Sequence, residues 1–327
     1  MESVRPATLG RLRLANNLSL APMAGYTQRG LRMLDRRYGA ALAWTEMISD
    51  YEILRPGRKT RRLLAVVPED APLGLQIFGR DPAQLAAAAA KAAEMGCFAA
   101  IDLNIACPVR KMLARGNGGA QLQEPEETLR RIEAVRKACP LPLAIKVRRG
   151  FDDSADSRRK VIELLDGAVA LGIDGVTIHG RTVEQIYHGQ ADWSFIYEMA
   201  ARLPVPVVGS GDLMTAEAVL QRLSAGPVAG ATLARGAVGS PWIFRDILRL
   251  AAGQTVEPID PAERVRCMTD HYQMLIDEIG EYTAIRIMRR FGMFYSKGLD
   301  RARDARLALG KIHTGDDLSQ VIQEFFA

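Results

Sequence analysis

The chain has 327 residues, of which 48% are hydrophobic, and it carries a formal net charge of +5. This composition is typical of a globular protein with a substantial core, and no apolar run approaches the roughly 18 residues of a membrane-spanning helix. Residues 1–13 contain no apolar signal-peptide core, so we expect a cytoplasmic protein that does not enter a membrane.

Eight short apolar runs with strand character follow one another along the first part of the chain. They cover residues 17–23, 41–46, 73–78, 101–105, 143–148, 175–179, 205–210 and 230–235. Helix-like segments lie between them, at residues 82–95, 125–138, 157–171 and 215–223. Such alternation indicates a parallel sheet, and eight units predict an α/β fold of the (β/α)8 TIM-barrel type. An open doubly wound sheet is the alternative, but its usual G-x-G-x-x-G is absent after the first strand.

From residue 241 onwards the pattern changes to helices alone. Helical spacing is found at residues 262–279, 282–297, 301–312 and 316–326. We therefore predict a catalytic barrel at residues 1–240 and a small all-helical domain at residues 241–327. Basic side chains are frequent in this domain, at Arg286, Arg289, Arg290, Lys297, Arg301, Arg303 and Arg306. A second basic stretch contains Arg55, Arg58, Lys59, Arg61 and Arg62. Both are either solvated helix faces or contacts to the phosphates of a nucleic acid.

Nearly every predicted strand ends in a polar or ionisable side chain. The residues are Met23, Glu46, Gln76, Asn104, Cys107, Lys146, Arg148, His179, Arg181, Ser210, Asp212 and Arg235. In a (β/α)8 barrel the active site lies at these strand ends, and the loops after strands seven and eight often bind a phosphate. Residues 209–212 and 234–237 are those loops here, and their glycines allow close approach to an anion.

Lys146 and Cys107 carry the chemistry that these positions suggest. Lys146 stands in an apolar run and needs an anionic or polar partner, which is either a barrel-mouth salt bridge or a cofactor. Together with Gln76 and Asn104 it suits a flavin mononucleotide. Cys107 is either a small buried hydrophobe or a proton donor that complements hydride transfer. His179 is an acid/base group, a cofactor contact or a core histidine, and no spacing indicates a metal site.

Seven motifs occur in the order seen in tRNA-dihydrouridine synthases, and the chain most closely resembles the bacterial B-type branch. They are APMAG at 21–25, TEM at 45–47, QIFG at 76–79, DLNIACP at 102–108, IKVR at 145–148, IHGRT at 178–182 and PWIF at 241–244. The resemblance covers essentially the whole chain, including the helical C-terminal part.

The resemblance implies an FMN enzyme that uses NADPH or NADH to reduce the C5=C6 bond of specific uridines in tRNA to 5,6-dihydrouridine. In this scheme hydride passes from FMN N5 to C6, and Cys107, at the position of the family's catalytic cysteine, protonates C5. The expected cofactor contacts are Pro22, Met23, Ala24, Gln76, Asn104, Lys146, His179, Ser210, Gly211, Asp212, Ala234 and Arg235. The expected substrate contacts are Asn104, Arg148, Arg181, Arg286 and Arg290. The partner is tRNA, and we expect a monomer with no stable protein partner.

Three positions depart from the family pattern. Ala106 precedes the cysteine where glycine is usual, and Ser210 and Ala234 stand in the phosphate loops where asparagine and glycine are usual. The Gly-Ser or Gly-Ala pair that follows the cysteine in the family fits only if one residue is inserted, as Gly119-Ala120. We expect FMN binding to persist, because serine still hydrogen-bonds and main-chain amides survive an alanine. Three alternatives remain: the same chemistry on ribosomal RNA, a flavin barrel acting on a small molecule, and a non-catalytic RNA-binding factor.

Overall fold

The computed structural model describes residues 3–327, and its centre is a closed barrel of eight parallel strands. The strands are Leu18–Leu20, Leu42–Trp44, Leu73–Phe78, Ala100–Ile105, Leu143–Arg148, Gly175–His179, Val207–Ser210 and Gly230–Leu233. The eighth strand pairs with the first, with Leu233 opposite Leu20, and this pairing closes the barrel. The predicted (β/α)8 barrel is therefore confirmed, and the open doubly wound sheet is wrong.

Four of the strands are shorter than their apolar runs, and in two of them proline interrupts the ladder. Ala21 donates to the carbonyl of Leu233, and the next residue, Pro22, has no N–H to continue the pairing. The first strand therefore ends at Leu20, and residues 21–25 form a loop at the carboxyl end of the barrel. In the same way the seventh strand begins at Val207, directly after Pro206.

Helices surround the barrel and are capped by the residue types that the sequence suggests. The helices between strands are Arg29–Arg37, Asp50–Leu54, Arg58–Leu64, Pro82–Glu94, Arg110–Leu113, Pro125–Ala138, Ala155–Ala170, Trp193–Arg202 and Ala216–Ser224. Thr215 accepts from the N–H of Ala218, as expected for an N-cap. Asp81 and Ser154 cap their helices in the same way.

The amino end of the barrel is closed by a β-hairpin, Ala7–Leu9 with Leu12–Leu14. Leu9 packs in one buried cluster with Leu42 and Ala144, which lie at the amino ends of their strands, and with Trp44. Trp44 is paired with Gly74, near the amino end of the third strand. An apolar plug of this kind leaves the opposite end of the barrel for a ligand. A two-residue strand, Ile48–Ser49, extends the sheet at that open end, beside the end of the third strand.

The carboxyl-terminal part is helical, as predicted. Ile243–Ala251 packs against Ala216–Ser224 and so lies with the barrel helices. The four helices after it are Pro261–Ile279, Glu281–Tyr295, Ala302–Leu309 and Gly315–Phe325. Their apolar side chains belong to the same buried cluster as the barrel core, so a division at residue 240 stays a prediction. Within residues 3–327, no helix is long and apolar enough to cross a membrane.

Candidate active site

A cavity of about 400 Å³ opens at the carboxyl ends of the barrel strands. This volume lies within the range of small-molecule sites. All the residues expected to contact the cofactor line it, together with Cys107 and Arg148. Arg181, Arg286 and Arg290 are not among the lining residues. The structure thus brings together side chains from all parts of the barrel.

A chain of hydrogen bonds crosses the floor of the cavity. Gln76 Nε2 donates to Asp102 Oδ2 at 2.5 Å, and Asn104 Nδ2 donates to Gln76 Oε1 at 2.8 Å. Asn104 Oδ1 in turn accepts the N–H of Cys107 at 3.0 Å. The three side chains come from neighbouring strands, because Gln76 is paired with Asp102 and Asn104 follows two residues later on the same face. The floor therefore connects a buried carboxylate to the loop that carries the thiol.

Lys146 lies beside this chain, opposite Asn104 on the next strand. Burial lowers the pKa of Lys146, while the carboxylate of Asp102 raises it. Burial likewise raises the pKa of Asp102, and the Gln76 hydrogen bond and Lys146 lower it. Asp102 and Lys146 therefore stabilise each other's charged form where neither side chain is well solvated. Lys146 is the cationic side chain on the floor of the cavity.

His179 is neutral in this environment. Burial holds its pKa well below the usual value of 6.5, and the positive charges of Lys146 and Arg148 lower it further. Arg181 Nη1 lies 3.4 Å from His179 Nε2. Because the guanidinium only donates, Nε2 is the acceptor and the ring proton is on Nδ1. His179 therefore offers hydrogen bonds and no positive charge.

Cys107 lies in a loop that two glycines shape. Gly119 donates its N–H to the Cys107 carbonyl at 3.0 Å. Gly118 has a φ of +59°, and a Cβ there would lie 2.8 Å from Cys107 Cβ. Burial raises the pKa of the Cys107 thiol, while a main-chain hydrogen bond, Arg148 and Lys146 lower it. The effect of burial is the largest, so the pKa of Cys107 is raised and its thiol is protonated at neutral pH.

The loops after strands seven and eight bring together main-chain groups that are able to hold an anion, and we call this place the anion cradle. The N–H groups of Gly211, Arg235 and Gly236 have no hydrogen-bond acceptor within residues 3–327. A Cβ on Gly211 would lie 2.5 Å from Ala191 Cβ, and one on Gly236 would lie 2.2 Å from the carbonyl oxygen of Leu213. Free main-chain donors next to positions that exclude a side chain are what a phosphate group needs.

Two arginines expected at the substrate have their guanidinium groups occupied by the protein. Arg148 donates to the carbonyls of Ala106, Thr182 and Ile186 at 2.7–2.9 Å. Arg181 donates to the carbonyls of His188 and Gly189 and to Asp212, and it is 2% exposed. Both therefore fix loops around the cavity. A sequence pattern does not reveal this, because it does not show which way a long side chain points.

The two helical arginines differ although they lie one turn apart. Arg290 donates to the carbonyl of Gly25, and its guanidinium carbon lies 4.3 Å from the ring centre of Tyr26. Arg286 is exposed and contacts Tyr282 on its own helix. Arg290 thus joins the C-terminal helices to the first barrel loop, while Arg286 faces solvent.

Several lining residues were missed by sequence reasoning. They are Tyr26, Met47, Tyr187, Met214 and Phe294. Phe294 comes from the helix Glu281–Tyr295 and meets Tyr26 edge to face, with 5.8 Å between the ring centres. Tyr187 is 55% exposed and lies near the guanidinium groups of Arg148 and Arg235. The only feature of the sequence that could have indicated Tyr187 as a lining residue is a tyrosine in a predicted loop. No feature of the sequence indicates Phe294.

A closed (β/α)8 barrel with an anion cradle and a cavity of ionisable groups defines an enzyme of the barrel class. Solved structures with this fold include histamine dehydrogenase from Rhizobium sp. 4-9, with a TM-score of 0.59 and 14% identity over 82% of this chain and 50% of that one. A 2-naphthoyl-CoA reductase matches with a TM-score of 0.58 and 12% identity, over 77% of this chain and 52% of that one.

The sequence comparisons identify the family. The dihydrouridine synthase family model matches residues 19–326. The tRNA-dihydrouridine synthase B of Shewanella oneidensis is 33% identical over 97% of this chain and 98% of its own length. A probable tRNA-dihydrouridine synthase of Rickettsia conorii is 30% identical over 97% of this chain and 96% of its own. The chain belongs to the dihydrouridine synthase family, and it is a flavin-dependent oxidoreductase.

Proposed function

We propose that this protein reduces the C5=C6 bond of specific uridines in tRNA, with FMN as its flavin and NADPH or NADH as the reductant. The observation that carries the proposal is the position of Cys107. Its protonated thiol lines the same cavity as Lys146, the amides of Gln76 and Asn104 and the anion cradle. Full-length similarity to proteins named tRNA-dihydrouridine synthase supports the choice of substrate.

The residues present fit FMN. The free N–H groups of Gly211, Arg235 and Gly236 would hold its phosphate, and the exposed guanidinium of Arg235 adds positive charge at the cradle. Met23, Gln76, Asn104, Lys146 and His179 would hold the ring. When bound, FMN supplies the hydride, from N5 to C6 of the uracil.

The chain's own side chains supply the remaining half of the reduction. Negative charge develops on C5 and O4 of the uracil, and the Cys107 thiol donates a proton to C5 as general acid. The neighbouring cations Arg148 and Lys146 stabilise the thiolate that remains, since both favour its charged form. Solvent restores the proton, because Cys107 is only partly buried.

RNA binding is proposed for the C-terminal helices together with the barrel rim. A uridine must leave its base stack or be unpaired to enter a cavity of this kind. Exposed arginines such as Arg286 would contact phosphates, and Phe294 places the helices at the cavity itself. We propose that a single copy of the chain acts on tRNA in the cytoplasm.

Nucleoside mass spectrometry tests the proposal. Purified protein is incubated anaerobically with NADPH and unmodified tRNA, ribosomal RNA or free uridine, and dihydrouridine is counted in each. We expect product in tRNA. Product only in ribosomal RNA would overturn the substrate, and turnover of free uridine at a similar rate would indicate a small-molecule enzyme. Absence of product in all three, with flavin bound and reducible, would indicate a non-catalytic RNA-binding factor.

A further inference from the structure

We propose that Asp102 is a positioning residue for Cys107, and that its buried carboxylate sets the direction of the hydrogen-bond chain that ends on the Cys107 main chain. The inference deepens the proposed function, because Cys107 is the proton donor there. The positioning itself depends only on residues of this chain and is testable without cofactor or RNA.

Asp102 is a buried hydrogen-bond acceptor at one end of the chain of hydrogen bonds. Its side chain is 2% exposed, and Oδ2 accepts from Gln76 Nε2 at 2.5 Å. A carboxylate only accepts hydrogen bonds, so the amide of Gln76 must turn its NH2 group towards Asp102. The Gln76 oxygen then necessarily faces the other way, towards Asn104.

The oxygen of Gln76 determines the orientation of the Asn104 amide in the same way. Gln76 Oε1 is an acceptor, so Asn104 must present its NH2 group, and it does so at 2.8 Å. Asn104 Oδ1 then faces the N–H groups of Ala106 and Cys107, at 3.2 and 3.0 Å. A reversed Asn104 would place its NH2 group against these two N–H donors. One acceptor-only group therefore determines three hydrogen bonds in succession.

Lys146 offsets part of the cost of burying the Asp102 carboxylate, and one of the two carboxylate oxygens is still left unpaired in the part of the chain that the structure describes. Oδ1 has no hydrogen-bond partner within residues 3–327, although the whole side chain is buried. Leaving a buried carboxylate oxygen unpaired opposes folding. The charge of Lys146 favours the ionised form of Asp102, in which both carboxylate oxygens only accept hydrogen bonds.

Hydrogen exchange of the full-length protein tests the inference directly. Asp102→Asn keeps the shape of the side chain but adds a donor, so Gln76 and Asn104 are free to reverse. We expect the amides of Ala106 and Cys107 to exchange up to about tenfold faster, as for the loss of one hydrogen bond. The rate at which iodoacetamide alkylates Cys107, measured at several pH values, should also differ between Asp102→Asn and the wild type.

A double variant provides the rescue. In Asp102→Asn with Gln76→Glu, the new carboxylate accepts from both asparagines, and Asn104 keeps its native direction. We expect exchange at Ala106 and Cys107 to return towards the wild-type rate. Asp35→Asn is the matched control, since it replaces a buried carboxyl group that lies outside the cavity and has no hydrogen-bond partner within residues 3–327. It should leave exchange at these two amides unchanged.

The outcomes separate this inference from the proposed function. Wild-type exchange in Asp102→Asn, or an equal change in the control, would overturn the positioning role. If Asp102→Asn alone does not fold, a folded double variant with native exchange supports the role, and an unfolded one overturns it. Dihydrouridine formation by the wild type is measured separately, so a failure of the proposed reaction leaves the exchange result interpretable.

Discussion

The carboxylate of Asp212 accepts two hydrogen bonds from Nη2 of Arg181, at 2.7 and 2.9 Å. Asp212 has a φ of +56°, which is a strained conformation for a residue with a side chain. The same carboxylate also accepts the N–H of Ala191 at 2.8 Å. The pair therefore holds the loop after strand seven in the shape that frees the Gly211 N–H for an anion.

Arg181→Lys should weaken FMN binding without contacting the cofactor. Arg181 reaches the His188 carbonyl from Nε and the Gly189 carbonyl and Asp212 from Nη2. The single nitrogen of lysine does not reproduce this planar fork, so the strained loop loses part of its support. We expect the Kd for FMN to rise at least about tenfold, a loss of about 1.4 kcal/mol. Flavin fluorescence during titration of the apoprotein measures it. Arg130→Lys, on an exposed helix face, is the control and should bind FMN as the wild type does.

Cys107→Ala should block RNA reduction while leaving the flavin reaction intact. The substitution removes the proton donor but none of the groups in the anion cradle. We expect NADPH oxidation near the wild-type rate and dihydrouridine formation lower by about 10²–10⁴-fold. Anaerobic stopped-flow absorbance and nucleoside mass spectrometry measure the two steps. Dihydrouridine formed at the wild-type rate would show that another group supplies the proton.

Ala106→Gly should have little effect on catalysis. Ala106 does not have a positive φ, so the main chain before Cys107 does not require glycine. Its N–H and carbonyl are held by Asn104 and Arg148, and a glycine keeps both bonds. We expect the free energy of unfolding to fall by about 0.5–1 kcal/mol, because glycine has more freedom in the unfolded chain. A loss of dihydrouridine formation beyond a few fold would indicate that the methyl group itself orients Cys107.

Substitution of Arg290 should lower the stability of the protein, whereas substitution of Arg286 should weaken RNA binding. Arg290→Met removes the bond to the Gly25 carbonyl and the contact with Tyr26, and should lower the free energy of unfolding by about 2–4 kcal/mol. Arg286→Met should change the free energy of unfolding by less than about 0.5 kcal/mol. The same substitution should weaken tRNA binding and reduce the slope of log K against log salt concentration by about 1. Urea unfolding and binding at several salt concentrations measure the two effects. An unchanged salt dependence in Arg286→Met would remove this residue from the RNA surface.

Asp35 should make the protein less stable as the pH rises. Burial holds the pKa of Asp35 well above its usual 3.8, so the folded state keeps the proton that the unfolded state has already released. The stability present below pH 3.8 is therefore lost as the pH rises towards the folded pKa, by at most about 1.4 kcal/mol per pH unit. Asp35→Asn does not titrate, so the Tm of this variant relative to that of the wild type should rise as the pH is raised above about 4. A difference in Tm that is independent of pH would show that Asp35 is solvated.

The barrel and most of the cavity lining could be predicted from the order of residues along the chain. Hydrophobic period and strand–helix alternation are local properties, and parallel strands bring all their carboxyl ends to one face. Gln76, Asn104, Lys146 and Ser210 could therefore be placed together although they are far apart in the chain. Local signals also predicted the helix cap at Thr215 and the helices after residue 260.

The contacts of the long side chains became known only from the folded chain. Arg148 and Arg181 occupy strand ends as predicted, yet their guanidinium groups are used by main-chain carbonyls and Asp212. Phe294 reaches the cavity from a helix that follows the whole barrel in sequence. The direction of the hydrogen bonds that join Asp102, Gln76 and Asn104 likewise depends on which donor lies next to which acceptor in the folded chain. These properties depend on contacts between distant segments, and a flexible side chain has no periodic signal that reveals its partner.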